Sequence, residues 1–464
     1  MGILQKLLSR NKPLKPPIDM VNGPILSGII RFSIPLMLTG VLQLLFNACD
    51  MVVVGQFAGS DPLAAVGSTM ALTNLMLNAF LGLSVGVNVL AAHALGSGDR
   101  EWLEKIVHTA VTLSLLCGLI LALVGVSLCR TCLVAMDTPP EVLDLAVLYM
   151  RIYFCGMPVV MLYNFGAALL RAQGNTKQPL IYLSISGIVN VVLNLVLVIV
   201  FHLSVAGVAI ATIVSQALSA ALILRYLIRQ EGPCGLDFRK LRLDLTVVKK
   251  TFQIGIPASF NGIMFSFSNI QIQSAINSFG PSAMAGSAAA ANLEGFIYLA
   301  ANSLHQAAVN FVGQNVGAGN NARLPKVTVA CCSVSALVSL LLGSAVYLFG
   351  GTLLGLYTQA ASDIVFGMTR LKIIALTYFL CGIMDTMVGV LRGMGYAMVP
   401  TAISVVGVCG FRILWLVTVF AWYPTVEVLF LSYPSSWILT TLAQLISYGY
   451  IRRKNFPSQK STTI

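Results

Sequence analysis

Charge is scarce in this chain of 464 residues: Asp, Glu, Lys and Arg together make up 9% of it, against about a quarter in soluble domains. A soluble globule of this size must coat its surface with polar and charged groups. The shortage therefore excludes water-soluble enzymes, disordered proteins and coiled coils. Histidine is scarcer still. The four present, His93, His108, His202 and His305, lie too far apart for a zinc-ligand spacing such as HExxH. The GxxxxGK[ST] phosphate loop is missing; the nearest run, Gly174-Asn175-Thr176-Lys177, lacks the leading glycine. Nothing here hydrolyses ATP or calls for an ATPase subunit, no cofactor is expected, and no catalytic constellation is visible. The ten cysteines are scattered through apolar runs as small hydrophobes. The single CxxC, Cys129 to Cys132, has no His or second pair beside it and makes no zinc site.

What the chain has in abundance is apolar sequence, 57% of its residues, in long unbroken runs. Outer-membrane strands alternate apolar and polar side chains, whereas unbroken runs of this length are membrane-spanning helices. The first run is long, interrupted by polar residues and without a cleavage site, so it reads as a span rather than a signal peptide. Apolar runs between polar or Gly/Pro breaks give spans at 27–55, 63–92, 105–129, 141–170, 178–203 and 205–229. After a basic linker, 230–246, they continue at 247–278, 283–313, 325–350, 363–393, 399–423 and 426–452. The expectation is an all-α polytopic protein of twelve helices in two six-helix lobes, 27–229 and 247–452, with a terminal segment 1–26 and a tail 453–464.

The formal net charge is +12. With twelve spans, the loops on the side of the termini collect most of the cations. Among them are Lys6, Arg10, Lys12, Lys15, Arg100, Lys105, Arg239, Lys240, Arg242, Lys249, Lys250, Arg452, Arg453 and Lys460. The opposite loops hold Arg130 and, at a span edge, Arg370. This asymmetry places both termini in the cytoplasm, with the chain multi-pass in the cell membrane. It also accounts for the positive charge without nucleic acid.

The halves repeat each other. Leu170-Arg171-Ala172-Gln173-Gly174 recurs 221 positions on as Leu391-Arg392-Gly393-Met394-Gly395, and Leu95-Gly96-Ser97-Gly98 as Val316-Gly317-Ala318-Gly319. Arg151 and Lys372 match at the same offset, and Ile34-Pro35 matches Ile256-Pro257 with one residue of slip. Six spans per half return the chain to the same side, so the repeats are parallel and related by a pseudo-two-fold axis along the membrane normal. Pro35, Pro158 and Pro257 should bend their helices. The run Ala285-Gly286-Ser287-Ala288-Ala289-Ala290-Ala291 should permit close helix packing.

A carboxylate at membrane depth is costly and marks function by default. Three are expected there: Asp50, Glu294 and Asp385. Gln43, Asn47 and Asp50 share one helix face, as do Ser186, Asn190 and Asn194. By helix rise, Asp50 lies roughly 9 Å below the outer end of its span, Asn194 about 13 Å and Thr212 about 12 Å, so the three can meet. In the second half Glu294, Tyr298, Asn302 and then His305 or Gln306 follow one face, and Arg412 falls at the depth of Glu294. A Glu294–Arg412 pair reads equally as a structural bridge and as a gate. Asp385 and Arg392 share one helix face at i, i+7, which suggests a local structural role. Arg151 and Lys372 read as snorkelling residues, although Arg151 reaching Asp50 would weaken ion coupling there. His93, His108 and His202 lie near span ends, where solvated or capping roles fit.

Taken in order, several of these motifs resemble the multidrug and toxic compound extrusion (MATE) family. They are Phe46-Asn47-Ala48-Cys49-Asp50 to Gly55, Leu170 to Thr176, Asn190 to Asn194, Ala206 to Thr212, Val312 to Gly319, and Leu391 to Gly395. The resemblance covers about 27 to 452. It implies two six-helix bundles around a central cleft and export of cationic or amphipathic organic compounds in exchange for H⁺ or Na⁺, by a monomer. It also implies that Asp50 takes part in cation coupling, with Asn190 and Thr212 close by. The family's fifth-span motif often ends in Asp, where this chain has Asn194. Around Phe265 to Phe267 the seventh span lacks the Glu of some Na⁺-coupled members. Two other readings stand beside export. A lipid flippase would show a wide cationic cavity, for which Arg151, Lys372 and Arg412 are the candidates. A membrane-embedded lipid-modifying enzyme would place His93 or His305 beside Asp385 in a closed polar pocket.

Overall fold

In a bilayer each backbone N–H and C=O of an apolar run needs an internal partner, and only helix formation supplies it within the run. The computed structural model describes residues 18–457, so Lys6, Arg10, Lys12, Lys15 and Lys460 lie outside it. The first lobe holds α1 (Ile25–Phe57), α2 (Ser60–Ser97), α3 (Arg100–Ala135), α4 in two pieces (Pro140–Cys155 and Met157–Ala172), α5 (Lys177–Val200) and α6 (Ser204–Arg229). The second holds α7 (Leu245–Asn277), α8 (Pro281–Gly317), α9 (Leu324–Leu348), α10 (Ala361–Gly393), α11 (Met398–Trp422) and α12 (Val426–Asn455). Nine of these are long and apolar enough to cross a membrane, and ten with the bent α4. The remaining two, α7 and α8, are as long but less apolar.

Side-chain caps start α3 and α7: Asp99 accepts from the Trp102 N–H, and Asp244 from those of Thr246 and Val247. The repeated motifs end in glycine for a backbone reason. Gly98 and Gly319 have φ of 71° and 67°, Gly174 and Gly395 of 78° and 90°, a left-handed conformation that stops each helix. Pro158 sits where α4 bends by 48°, while Pro35 and Pro257 lie inside continuous helices. The fifth helix of each lobe contains a π-turn, Val196–Val200 in α5 and Val405–Gly410 in α11.

Within the first lobe α3 packs on the second piece of α4, α5 on α6 and α1 on α5; within the second, α10 is gripped by α8, α9 and α12. Outward faces stay apolar, as at Leu119, Ile120 and Leu123 of α3, which suits contact with lipid. The lobes meet where α2 crosses α7 and α8, and where α1 crosses α8. Phe32 stands edge-on to Phe311, with ring centroids 6.1 Å apart, and the Lys250 ammonium lies 4.7 Å from the Trp102 ring centre. These contacts fall in the halves of the helices nearest the basic loops.

The linker is docked rather than free. The Asp237 N–H donates to His108 Nε2 at 3.1 Å, the Asp244 N–H to Thr109 Oγ1 at 3.2 Å, and Lys240 Nζ to Glu104 at 2.8 Å. The Glu104 carboxylate holds the Lys240 ammonium above its ordinary pKa. His108 is therefore buried under the linker rather than solvated.

Candidate functional site

The 3.6-residue period of α1 turns Gln43, Asn47 and Asp50 together onto the wall of a cavity of about 360 Å³. The cavity lies inside the first lobe, in the half away from the basic loops. Asn190 of α5 and Thr212 of α6 line it too. One Asp50 oxygen accepts a short hydrogen bond from Asn194 Nδ2; the other lies 3.4 Å from Thr212 Oγ1. Thr212 has a single hydroxyl proton, which it shares between Asp50 and the Val208 carbonyl at 3.0 Å. The same Asn194 Nδ2 is 3.3 Å from Asn190 Oδ1, and Asn190 Nδ2 is 3.5 Å from Thr212 Oγ1. Asp50, Asn194 and Thr212, expected to meet on helix-rise grounds, thus form one connected cluster with Asn190.

No Lys, Arg or His lies within salt-bridge distance of Asp50 among the described residues. Arg151 is exposed and off the cavity wall. Among the described residues the buried Asn194 Oδ1, Thr73 Oγ1 and Gln216 Oε1 have no hydrogen-bond partner, and the last two residues line the cavity. A carboxylate that accepts from an amide N–H and a hydroxyl, with no cationic side chain beside it among the described residues, is a site that can accept a proton or ligate a hard monovalent cation. Sequence reasoning missed Tyr149 and Tyr153, which stack 6.1 Å apart on the same wall. Their i, i+4 spacing was the available signal.

The second lobe departs from expectation. Glu294 does not pair with Arg412. Both its oxygens are held by Arg370, from Nε and Nη2 at 2.8 Å each, and both side chains are buried. Helix rise fixes depth but not direction around the axis, and Arg370 lies about 14 Å along α10 rather than at a span edge. Arg412 instead stacks over Tyr433 at 4.0 Å and donates to Ser436 Oγ at 3.2 Å. It is 3% exposed, so it forms no wall of a cationic cavity. Tyr298 and Asn302 are not drawn into the Glu294 pair.

Asp385 does not bond Arg392. Its Oδ1 lies 3.3 Å from His305 Nδ1, while Arg392 Nε and Nη2 have no partner among the described residues. His305 Nδ1 is 2.7 Å from the Asp385 carbonyl, so this ring is fastened to the α10 backbone. The neighbours that the enzyme reading asked for are present.

The comparisons decide the class. The MatE family model matches residues 35–196 and again 257–418, one copy per lobe. The chain is 28% identical over 428 residues to a probable multidrug resistance protein, YoeA, of Bacillus subtilis, covering 90% of this chain and 92% of that one. It is 22% identical over 383 residues to the multidrug export protein MepA of Staphylococcus aureus, covering 82% and 85%. Among solved structures, an outward-facing multidrug resistance MATE family transporter of the MOP superfamily superposes with a TM-score of 0.85. It is 20% identical and is matched over 96% of this chain and 98% of its own. A MATE structure in a bent conformation gives 0.86 at 19% identity, over the same shares. With both copies of the model matched, the chain belongs to the MatE family. It is a multi-pass membrane transporter of the multidrug efflux class, not an enzyme.

Proposed function

We propose that the protein exports organic cations or amphipathic compounds in exchange for H⁺ or Na⁺, with Asp50 as the coupling group. The observation that carries this reading is the isolation of Asp50: among the described residues its carboxylate is held by Asn194 and Thr212 alone, with no Lys, Arg or His within salt-bridge distance. An ion that binds there removes the cost of a bare charge at membrane depth, and so favours the state in which the site is occupied. Asn194 and Thr212 hold the carboxylate in place, Asn190 ties those two side chains together, and Gln43 and Asn47 continue the polar face along the cavity. The lobes touch in their basic-side halves, so the conformation is closed toward the cytoplasm and the Asp50 cavity belongs to the outward path. Rocking of the lobes would then alternate access across the cell membrane, with both termini inside and a monomer sufficient.

The test is efflux of a fluorescent organic cation from proteoliposomes under a pH or a Na⁺ gradient, wild type beside Asp50→Asn. Asn is close in shape and keeps the hydrogen-bonding lobe, so the substitution removes charge and little else. Gradient-driven efflux lost in Asp50→Asn supports the reading, and the effective gradient names the ion. Equal coupled efflux from both proteins would overturn the role of Asp50.

A further inference from the structure

Two repeated motifs, Leu95-Gly96-Ser97-Gly98 with its copy and Leu170 to Gly174 with its copy, are not used by the Asp50 cluster. The structure brings all four together. His93, three residues before Gly96, has its Nε2 2.7 Å from the Gly393 carbonyl, at the end of α10. Gln314, three residues before Gly317, donates from Nε2 to the Ala172 carbonyl at 2.6 Å, at the end of α4. His93 and Gln314 stand 221 positions apart, and so do Ala172 and Gly393. These are one hydrogen bond and its pseudo-two-fold mate, each running from one lobe to the other.

The glycines repeat the relation. A β-carbon on Gly96 would collide with the Gln314 carbonyl, and one on Gly317 with the His93 carbonyl. Ala92 and Gly313, at the same offset, touch beside them. The last turns of α2 and α8 therefore cross at the symmetry axis, backbone on backbone, and each sends one donor to the far lobe.

We propose that His93 and Gln314 are the positioning residues of the cytoplasmic gate, a matched pair of clasps that hold the lobes shut on that side and must release for substrate to enter. The inference rests on the alternating-access reading. The gate lies where the lobes would have to part, and both donors are satisfied by backbone carbonyls, so neither depends on the identity of the far side chain. Because a carbonyl accepts equally from an imidazole or an amide N–H, the two residues are interchangeable as donors.

The experiment is a distance measurement by pulsed electron paramagnetic resonance on the full chain in nanodiscs. Spin labels are carried by noncanonical residues at positions 177 and 398, both exposed on the basic side, one in each lobe. It is made without substrate or gradient, so that a failure of the clasp is distinguishable from a failure of antiport. His93→Ala and Gln314→Ala should each raise the long-distance, inward-open population roughly fivefold, and the double variant further, as expected for loss of one net hydrogen bond apiece. His93→Gln should leave the wild-type distribution. Gln314→Met matches the side chain in length and has no donor, so it should open the gate even if the alanine variants fail to fold. An unchanged distribution in Gln314→Met, or opening in His93→Gln as large as in His93→Ala, would overturn the assignment.

Discussion

The two lobes repeat one chain pattern yet put opposite contents at matching positions. Thr73, Tyr149 and Thr212 line the Asp50 cavity of the first lobe. At the offset of 221 their counterparts are Glu294, Arg370 and Tyr433, which form a buried ion pair with a tyrosine beside it. Asp50 itself corresponds, with the one-residue slip, to the buried Ile272. One lobe thus leaves a single acid and several oxygens facing a cavity; the other has closed the same place with charges that satisfy each other. A duplicated scaffold can keep its helix packing while one copy specialises in binding and the other in holding shape.

The sharpest way to break this contrast is to remove one acid from each lobe. Asp50→Asn should abolish gradient-driven efflux while leaving thermal stability unchanged, whereas Glu294→Gln should strand the Arg370 charge and cost about 3–5 kcal/mol of stability. Denaturation in detergent or bicelles, run beside the efflux assay, separates the two effects; equal loss of stability from both would erase the distinction. Next comes giving the first lobe what the second has. Tyr149→Arg places a guanidinium on the cavity wall that holds Asp50, and should suppress coupled transport without destabilising the fold, because a lone carboxylate gains a partner. A variant that still couples normally would show that neutralising Asp50 is not what matters.

A smaller effect is expected from Asn194→Asp. It sets two carboxylates side by side in an apolar lobe with no cation between them, so thermal stability should fall as pH rises, by roughly 1–2 kcal/mol, and recover in acid. Differential scanning measurements at pH 5 and pH 8 read the slope. The smallest effect belongs to Lys240→Ala in the linker. Its ion pair with Glu104 is largely exposed, at 60% and 37% for the two side chains, so its loss should leave the melting transition nearly unchanged.

The twelve helices, their order and the repeat were legible in the sequence, because apolar runs in lipid leave the backbone only one regular solution. The Asp50 cluster was legible for a related reason: Asn47 and Asp50, or Asn190 and Asn194, lie on one helix face whatever surrounds them, and helix rise sets their depth. The Glu294 partner was not. Arg370 and Arg412 lie at comparable depths, and only the rotation of α10 and α11 about their axes, a product of side-chain packing, chooses between them. The clasps were hidden for another reason. His93 and Gln314 are different residue types doing the same thing, so a search for identical letters passes over them, although their spacing matches that of the glycines three residues on.

The reciprocity of those clasps has a consequence for assembly. In an interface between identical subunits, residue i meets j and j meets i, so the contact comes in matched pairs around a dyad. The joined lobes of this chain keep that arrangement: each half presents both the donor and the carbonyl that receives its mate. At this crossing each six-helix half therefore carries both partners of the contact. Two separately made halves should find one another in a bilayer without the linker between them.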